Sequence, residues 1–356
     1  MKILKSIIFC SAILTIFSCQ NSKSDQEKIP GINLDLMNTE ITPNDDFFNY
    51  VNGKWLDNTE IPDDRTSWGS FAELRQKTDE DALGILKSAM SDDKDMNSIN
   101  LVSGSDQEKA VFLYETIMDT ISRNSQGIDP ILPYLEKVNS ITNINDLQSY
   151  LIEMEPLGGG GFFGFGVGSD PKDSNRNVGY LGAGGLGLPD RDYYVKDDED
   201  SKNKRDLYVK HITRMLQYLG DDEDSANKQA KQILAFETRL AEPKMDKVDR
   251  RDARKRYNPR SINDLQNMVP SINWRRYFTG IGAKDIDTVI VGELKYMGEL
   301  QKILKENNVS DWKAYLRWSS LNGAAGMLSS DIEKANWDFY SKDLSGAKAQ
   351  RPRDER

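Results

Sequence analysis

A single histidine, His211, stands among 356 residues, and its scarcity excludes a good deal of chemistry. A zinc-peptidase helix of the His-Glu-x-x-His type needs two imidazoles one turn apart, and serine or cysteine hydrolases usually place an imidazole base beside the nucleophile. The first cannot be assembled from this sequence. His211 lies in Leu207-Tyr-Val-Lys-His-Ile-Thr-Arg-Met215, between Leu207 and Met215 on the apolar stripe of a predicted helix. That position predicts a packed, hydrogen-bonded core or boundary histidine. The 57 acidic residues are too many to single out a glycosidase pair. The runs Asp197–Asp200 and Asp221–Asp224 lack the spaced ligands, central glycine and terminal glutamate of a calcium loop. They are expected to be solvated loops that favour the N-termini of the helices after them. No catalytic residue and no metal ligand is assigned.

The two cysteines, Cys10 and Cys19, both fall at the N-terminus. Lys2 and Lys5 precede an apolar run, Ile7 to Phe17, that is short for a mature membrane span and suits a secretory signal. The run ends in Ile16-Phe-Ser-Cys19, a small residue directly before a cysteine, which resembles a bacterial lipobox. Residues 1–18 are therefore expected to be a lipoprotein signal peptide and Cys19 to be lipidated. Residues 19–42 would be a tether, and the chain would sit in a bacterial cell envelope on the periplasmic or extracellular face, held to the membrane by lipid. With Cys10 removed, no intramolecular disulfide remains possible. Loss of Lys2 and Lys5 takes the formal charge from −10 to −12, and no basic stripe offers itself to nucleic acid.

The dominant period along the rest of the chain is helical. Phe71, Leu74, Thr78, Ile85 and Ala89 fall near one face, and Ser105-Asp-Gln-Glu108 reads as a capping box. Amphipathic runs follow at about 145–154, 205–219, 225–241, 262–268, 289–307 and 310–345. The exception is Leu157 to Leu188, where Phe162-Phe-Gly-Phe-Gly-Val-Gly168 and Asn177-Val-Gly-Tyr-Leu181 flank a polar turn and predict a β-hairpin. Gly182-Ala-Gly-Gly-Leu-Gly187 matches G-x-G-x-x-G, yet Leu188-Pro-Asp190 reads as a turn where a dinucleotide site needs a helix to begin. The fold class is mainly α: a multi-helix lobe with a small glycine-rich β-hairpin.

Four blocks then carry a family resemblance. Asp45-Asp-Phe-Phe-Asn-Tyr-Val-Asn-Gly-Lys-Trp55 with Ile61-Pro-Asp-Asp-Arg-Thr-Ser-Trp-Gly-Ser-Phe-Ala-Glu-Leu-Arg75 resembles the opening of the neprilysin and endothelin-converting-enzyme type of zinc metallopeptidase, especially its bacterial members. Gly185-Leu-Gly-Leu-Pro-Asp-Arg-Asp-Tyr-Tyr194, Arg250-Arg-Asp-Ala-Arg-Lys-Arg-Tyr257 and Phe339 to Arg356 continue it in order, so that the resemblance covers residues 43–356.

The resemblance implies an N-terminal helical domain over 43–356, truncated before the zinc-binding domain, that encloses oligopeptide substrates of a zinc metalloendopeptidase. Zinc is implied for the full-length enzyme and none for this chain, which is expected to be inactive alone. The implied partners are peptide substrates and a missing catalytic lobe. Arg75 matches a family arginine on the leaving-group side of the scissile bond, where a guanidinium fork can hold a peptide carbonyl or carboxylate. A surface helix arginine paired with Glu73 or Asp79 is the other reading of the same residue. A second arginine found there in some members aligns with Ser67, and Arg65 is a weak substitute. Phe47, Phe48, Tyr50, Trp55, Trp68 and Phe71 are expected to pack where the N-terminal segment crosses between the two lobes, since burying each contributes roughly 1.5–3 kcal/mol. Asp190, Arg191, Arg250 and Arg251 are expected to form ion pairs. The alternative function is a non-catalytic, lipid-anchored peptide- or glycan-binding protein.

Cys19→Ala should move the protein from the membrane fraction to the soluble fraction, because no run from Gln20 onward is long and apolar enough to anchor it. Retention of the variant in membranes would show a different anchor.

Overall fold

The computed structural model describes residues 31–90, 102–159 and 161–355; Cys19 and the signal-like segment lie outside them. The chain divides into two units, 1–61 and 62–356. In the first, the single turn Leu34–Leu36 precedes helix α1 (Phe47–Asn58), whose N-terminus is capped by the Asp46 carboxylate accepting the Asn49 N–H. Asn38 donates its backbone N–H to the Tyr50 carbonyl at 2.9 Å.

The second unit is largely helical. Its helices are α2 (Ser70–Met90), α3 (Asp106–Met118), α4 (Thr120–Gln126), α5 (Leu132–Asn139) and α6 (Ile144–Met154) before the sheet. After the hairpin come α7 (Glu199–Gln217), α8 (Glu223–Ala241), α9 (Ile262–Met268), α10 (Trp274–Gly280), α11 (Leu294–Glu306), α12 (Val309–Ala324) and α13 (Ser330–Trp337). Local chemistry explains the starts. Asp198 and Asp222, from the two acidic runs, cap α7 and α8, while Ser261 with Asp264 and Asn308 with Asp311 form reciprocal capping boxes on α9 and α12. Asp221 departs from the solvated reading, because Arg317 and Gln229 hold its carboxylate. The box expected at Ser105 is half formed: Ser105 accepts the Glu108 N–H, but the Glu108 carboxylate takes the Gly104 N–H instead of returning to Ser105.

The predicted hairpin exists as β1 (Phe163–Asp170) and β2 (Asp173–Ala183), antiparallel with Phe163 opposite Ala183. It is not isolated. Strands β3 (Pro259–Ser261) and β4 (Thr288–Val291) extend it into a four-stranded mixed sheet of order β1-β2-β4-β3, in which β4 runs parallel to β2. The helical run expected from 289 therefore begins only at Leu294, since Val289, Ile290 and Val291 are buried in the sheet. One apolar cluster packs on this sheet with α6 and α9–α12, around Trp274, Tyr277 and Leu300; a second joins α7, α8, α12 and α13 around Ile212, Ile233 and Leu321.

A buried carboxylate crosses the second cluster. Glu237 on α8 accepts hydrogen bonds from Tyr194 Oη (2.7 Å), Tyr208 Oη (2.9 Å) and the Gly187 N–H (3.2 Å). The donors are themselves held: Trp318 Nε1 donates to Tyr208 Oη, the Leu188 N–H donates to Tyr194 Oη, and Tyr340 Oη donates to the Gly187 carbonyl. Two of the three glycines of the G-x-G-x-x-G match, Gly184 and Gly187, are closely packed here. A Cβ at Gly187 would lie 1.6 Å from Tyr208 Oη, and one at Gly184 1.7 Å from the Gly161 carbonyl oxygen. Close approach accounts for Gly184 and Gly187, whereas a Cβ at Gly182 would meet nothing within 4 Å.

His211 is buried as expected, stacked on Phe339 with ring centroids 4.6 Å apart and edge-on to Trp318 and Tyr340. The expected hydrogen bond is absent at Nε2, which has no partner among the described residues. The aromatic residues of the opening block also depart from expectation. Phe47, Phe48 and Phe71 are exposed, and α2 buries none of its side chains. Of the ion pairs foreseen, Asp190 meets Arg250 at 2.7 Å, whereas Arg191 lies 3.9 Å from its neighbour Asp192.

Burial and the nearby Arg214 push the His211 imidazole from 6.5 down to about 3, so its neutral burial stabilises the fold fully above pH 6.5 and progressively less down to pH 3. Glu237 acts in the opposite sense: burial outweighs its donors and lifts it from 4.5 to about 7, a contribution present below pH 4.5 and lost as pH rises through 7. In denaturant titrations, His211→Phe should gain on wild type by about 1.4 kcal/mol per pH unit as pH falls below 6.5. A pH-independent difference between the two proteins would contradict this assignment.

Candidate functional site

Arg75 lies on the first turns of α2 with its side chain 79% exposed, and its Nε is 3.9 Å from Asp79 Oδ2, one turn on. The helix-surface pairing named for it therefore exists in loose form. Arg75 also borders a cavity of about 490 Å³. Around it stand Asp64, Arg65, Trp337, Ser341 and Arg351, which come from the loop before α2, the end of α13, the π-helical turn Asp338–Asp343 and the C-terminal stretch. Ser67, where some family members carry an arginine, lines it too.

Two kinds of bond close this cavity. The main-chain N–H groups of Lys348 and Ala349 both donate to the Asp63 carbonyl, at 2.9 and 3.0 Å, and so lay the C-terminal stretch against the 62–69 loop. Ion pairs then fasten the loop, Lys348 to Asp63 at 3.0 Å and Arg351 to Asp64 at 3.7 Å, and α2, Arg351 to Asp79 at 3.6 Å and Lys87 to Asp354 at 3.0 Å. The shared hydrogen bond lifts the Lys87 ammonium above its ordinary range and lowers the Asp354 carboxyl. Arg353 pairs with Glu333 on α13, which also faces Arg123 at 3.5 Å. Arg65 is held by Trp68, whose ring centroid lies 5.7 Å from the guanidinium carbon.

Sequence reasoning named Arg75 and, weakly, Arg65. It named Asp79 only as a helix-surface partner of Arg75 and missed Asp64 and Arg351, which meet it through a chain reversal between residue 79 and residue 351. The Arg351-Pro-Arg353 run was visible as a family block, but no local pattern said what it faces.

A larger hollow, about 870 Å³, runs along α3 and α4 beside Tyr114, Ile117 and Met327. Its one arginine, Arg123, is committed to the main-chain carbonyls of Ile117, Gly326, Met327 and Leu328. Size alone does not make it the better site, because its only arginine is already satisfied by the fold. His211 is enclosed by aromatic rings, and among the described residues no group of three or more histidine, cysteine, aspartate or glutamate side chains is placed to hold a metal.

Comparisons with known proteins agree on one family. The profile of peptidase family M13 matches residues 43–356. An endothelin-converting enzyme homolog of Locusta migratoria is 29% identical over 327 residues, covering 85% of this chain and 43% of the relative. Endothelin-converting enzyme 1 of Cavia porcellus is 26% identical over 317 residues, covering 86% and 41%. Among solved structures, the Mycobacterium tuberculosis zinc metalloprotease Zmp1 in complex with an inhibitor superposes with a TM-score of 0.80 and 30% identity, over 91% of this chain and 49% of that one. PepO of Lactobacillus rhamnosis shares the fold at a TM-score of 0.73 and 20% identity, over 88% and 48%. The chain thus spans about two fifths of the length of these relatives and about half of the solved chains.

Because α2 buries no side chain and is fastened largely by partly exposed ion pairs, its attachment should weaken as salt screens them. Raising sodium chloride from about 0.05 to about 0.5 M should speed tryptic cleavage at Arg75, Lys77 and Lys87 without opening α7. Arg351→Gln should give the same pattern at low salt. Cleavage of α2 that ignores both changes would refute the ionic attachment.

Proposed function

Because the chain belongs to peptidase family M13, we propose that it is the substrate-enclosing, mainly helical N-terminal part of a zinc-dependent metalloendopeptidase that cleaves oligopeptides. The observation that carries this reading is the continuous match of residues 43–356 to the family, at 30% identity to a zinc metalloprotease of the same fold. Zinc, the activated water and the ligands for both belong to a catalytic lobe that this chain would face, and no chemical step is assigned to its own residues. What this chain supplies is enclosure and grip. Arg75, exposed at the rim of the 490 Å³ cavity, would donate its fork to a peptide carbonyl or carboxylate.

The exposed apolar residues support a missing neighbour. Phe71 is 90% exposed, and Leu74 and Ile85 on the same helix and Phe112 and Leu113 on α3 are more than half exposed. Such side chains on a helix with no buried face are what a second lobe would cover. Cys19 is proposed as the lipid attachment, with the protein on the outer or periplasmic side of a bacterial membrane. Consistent with an anchor of that kind, no helix among the described residues is long and apolar enough to cross a bilayer. The division into a signal over 1–18, a tether over 19–42 and a peptidase domain over 43–356 is part of the same proposal.

The chain purified without residues 1–18 should not cleave a quenched oligopeptide in a chelator-sensitive manner. Fused in frame to the zinc-binding half of an M13 peptidase, it should do so, and Arg75→Ala in the fusion should raise KM about tenfold or more with a smaller effect on kcat, the loss of a charge-assisted hydrogen bond. Chelator-sensitive cleavage by the unfused chain, or an Arg75→Ala fusion with unchanged KM, would contradict the proposal.

A further inference from the structure

Positive charge is concentrated between α8 and α9. Lys244 to Arg260 holds eight lysines and arginines against three aspartates, a net charge of +5 in a protein whose formal charge is −10. Few of these cations are neutralised. Lys244 is turned inward and donates to the Gly184 carbonyl at 2.6 Å, and Arg250 is taken by Asp190. The Asp246 carboxylate accepts the main-chain N–H groups of Val248 and Asp249, at 2.8 and 2.9 Å. Asp249 and Asp252 pair with Lys255 and Arg254, yet the Arg254 side chain is still 91% exposed. Arg251 and Arg256 are exposed and have no side-chain partner among the described residues.

The fold brings further cations to this segment. At the tip of the β1–β2 hairpin, Lys172 places its ammonium 4.4 Å from the centre of the Tyr257 ring, whose hydroxyl donates to Asp170 at 2.9 Å across 87 residues of sequence. Arg176, exposed on β2, acts electrostatically on both Asp170 and Tyr257. Asp173 is the one other carboxylate of the hairpin. The hairpin tip and the 251–256 turn are thus joined at Tyr257 into a basic face that no continuous stripe in the sequence announces, and Val248, within the same segment, is 71% exposed. A site for one small anion would converge its cations and fix them with acceptors, whereas these stand on long, exposed side chains. An anionic lipid surface needs no convergence. Its headgroups rearrange around each charge, and the apolar stems of lysine and arginine lie along it. Range decides the sign of the net effect, because the Debye length is about 8 Å at physiological salt: a surface touching this face meets the local positive charge and is screened from the acidic remainder.

We propose that the face carrying Lys172, Arg176, Arg251, Arg254 and Arg256 docks this domain on an anionic membrane surface, with phosphate-bearing lipid headgroups as its ligand. The proposal is independent of the peptidase reading and draws on the proposed membrane attachment only for its occupant. A lipid at Cys19 would keep the domain beside the bilayer and raise the effective concentration of headgroups. The basic face would decide which side of the domain meets them.

The test is co-sedimentation of the chain from residue 19 onward, carrying Cys19→Ala so that no lipid can hold it, with vesicles of phosphatidylcholine alone or of phosphatidylcholine and phosphatidylglycerol in equal parts. It should bind the anionic vesicles, ignore the neutral ones and be released by about 0.5 M sodium chloride. Arg251→Gln, Arg254→Gln and Arg256→Gln should each weaken binding about fivefold, and the three together about a hundredfold. Lys210→Gln, Lys228→Gln and Lys231→Gln together remove the same charge from α7 and α8, and should change binding by less than about twofold. All six side chains are exposed, and unchanged circular dichroism would show that both triple variants fold. Equal binding to the two kinds of vesicle, or equal loss in the two triple variants, would overturn the proposal. Binding to soluble polyglutamate but to neither vesicle would assign the face to an acidic polypeptide and overturn the membrane occupant. Because the protein tested carries no lipid, failure of Cys19 to be lipidated in cells would leave the sedimentation result unchanged, and the two readings fail separately.

Discussion

The fold turns on one buried carboxylate. A glutamate fully removed from water is costly unless its oxygens are met, and Glu237 is met from three directions, by the loop at Gly187, the helical turn of Tyr194 and helix α7 through Tyr208. Those donors are oriented in turn by Trp318 of α12 and by the Leu188 N–H. The loop leaving the sheet, α7, α8 and α12 are therefore fixed relative to one another by a single acceptor, and any element out of place would strand a buried donor. This makes the register of the helical half specific in a way that its apolar contacts alone do not. The same packing encloses His211, whose ring fills an aromatic slot between Trp318, Phe339 and Tyr340.

A different physics holds the face that carries Arg75. Helix α2 has no buried side chain and is tied down by ion pairs with the 348–354 stretch, each of which contributes little and is screened by salt. One end of the molecule is thus cooperative and dry, the other weakly and electrostatically fastened. Low local stability where a ligand or a second lobe must be admitted is a usual division of labour in proteins that close around substrates. The Arg65, Arg75 and Arg351 cluster sits on this electrostatically fastened face.

Much of this was readable beforehand because periodicity and capping are local. The helices at 199–217 and 223–241 announce themselves through their acidic caps and apolar stripes, and the hairpin through its glycines and polar turn. What escaped was non-local. Val289-Ile-Val291 is a short apolar run that periodicity cannot assign, and it became a strand only because β2 offered a parallel edge. Glu237 could not be distinguished among 57 acidic residues until the fold gathered two tyrosines and a glycine around it. Phe47, Phe48 and Phe71 were expected to pack where the segment crosses between lobes, and in this chain they are exposed, since burial requires a partner surface and sequence pattern does not say whether one is present. Arg75 was found only through family resemblance, and Arg351 only through the folded geometry.

We propose that this chain is a self-organised core bearing an electrostatically fastened face that receives a catalytic lobe. Hydrogen exchange of the chain alone and of the chain fused to an M13 zinc-binding half tests it directly. Amides of residues 70–90 should exchange quickly in the isolated chain and become strongly protected in the fusion, while those of 199–217 and 223–241 should be protected equally in both. Exchange in 70–90 that is already as slow as the core, or that does not change on fusion, would contradict it.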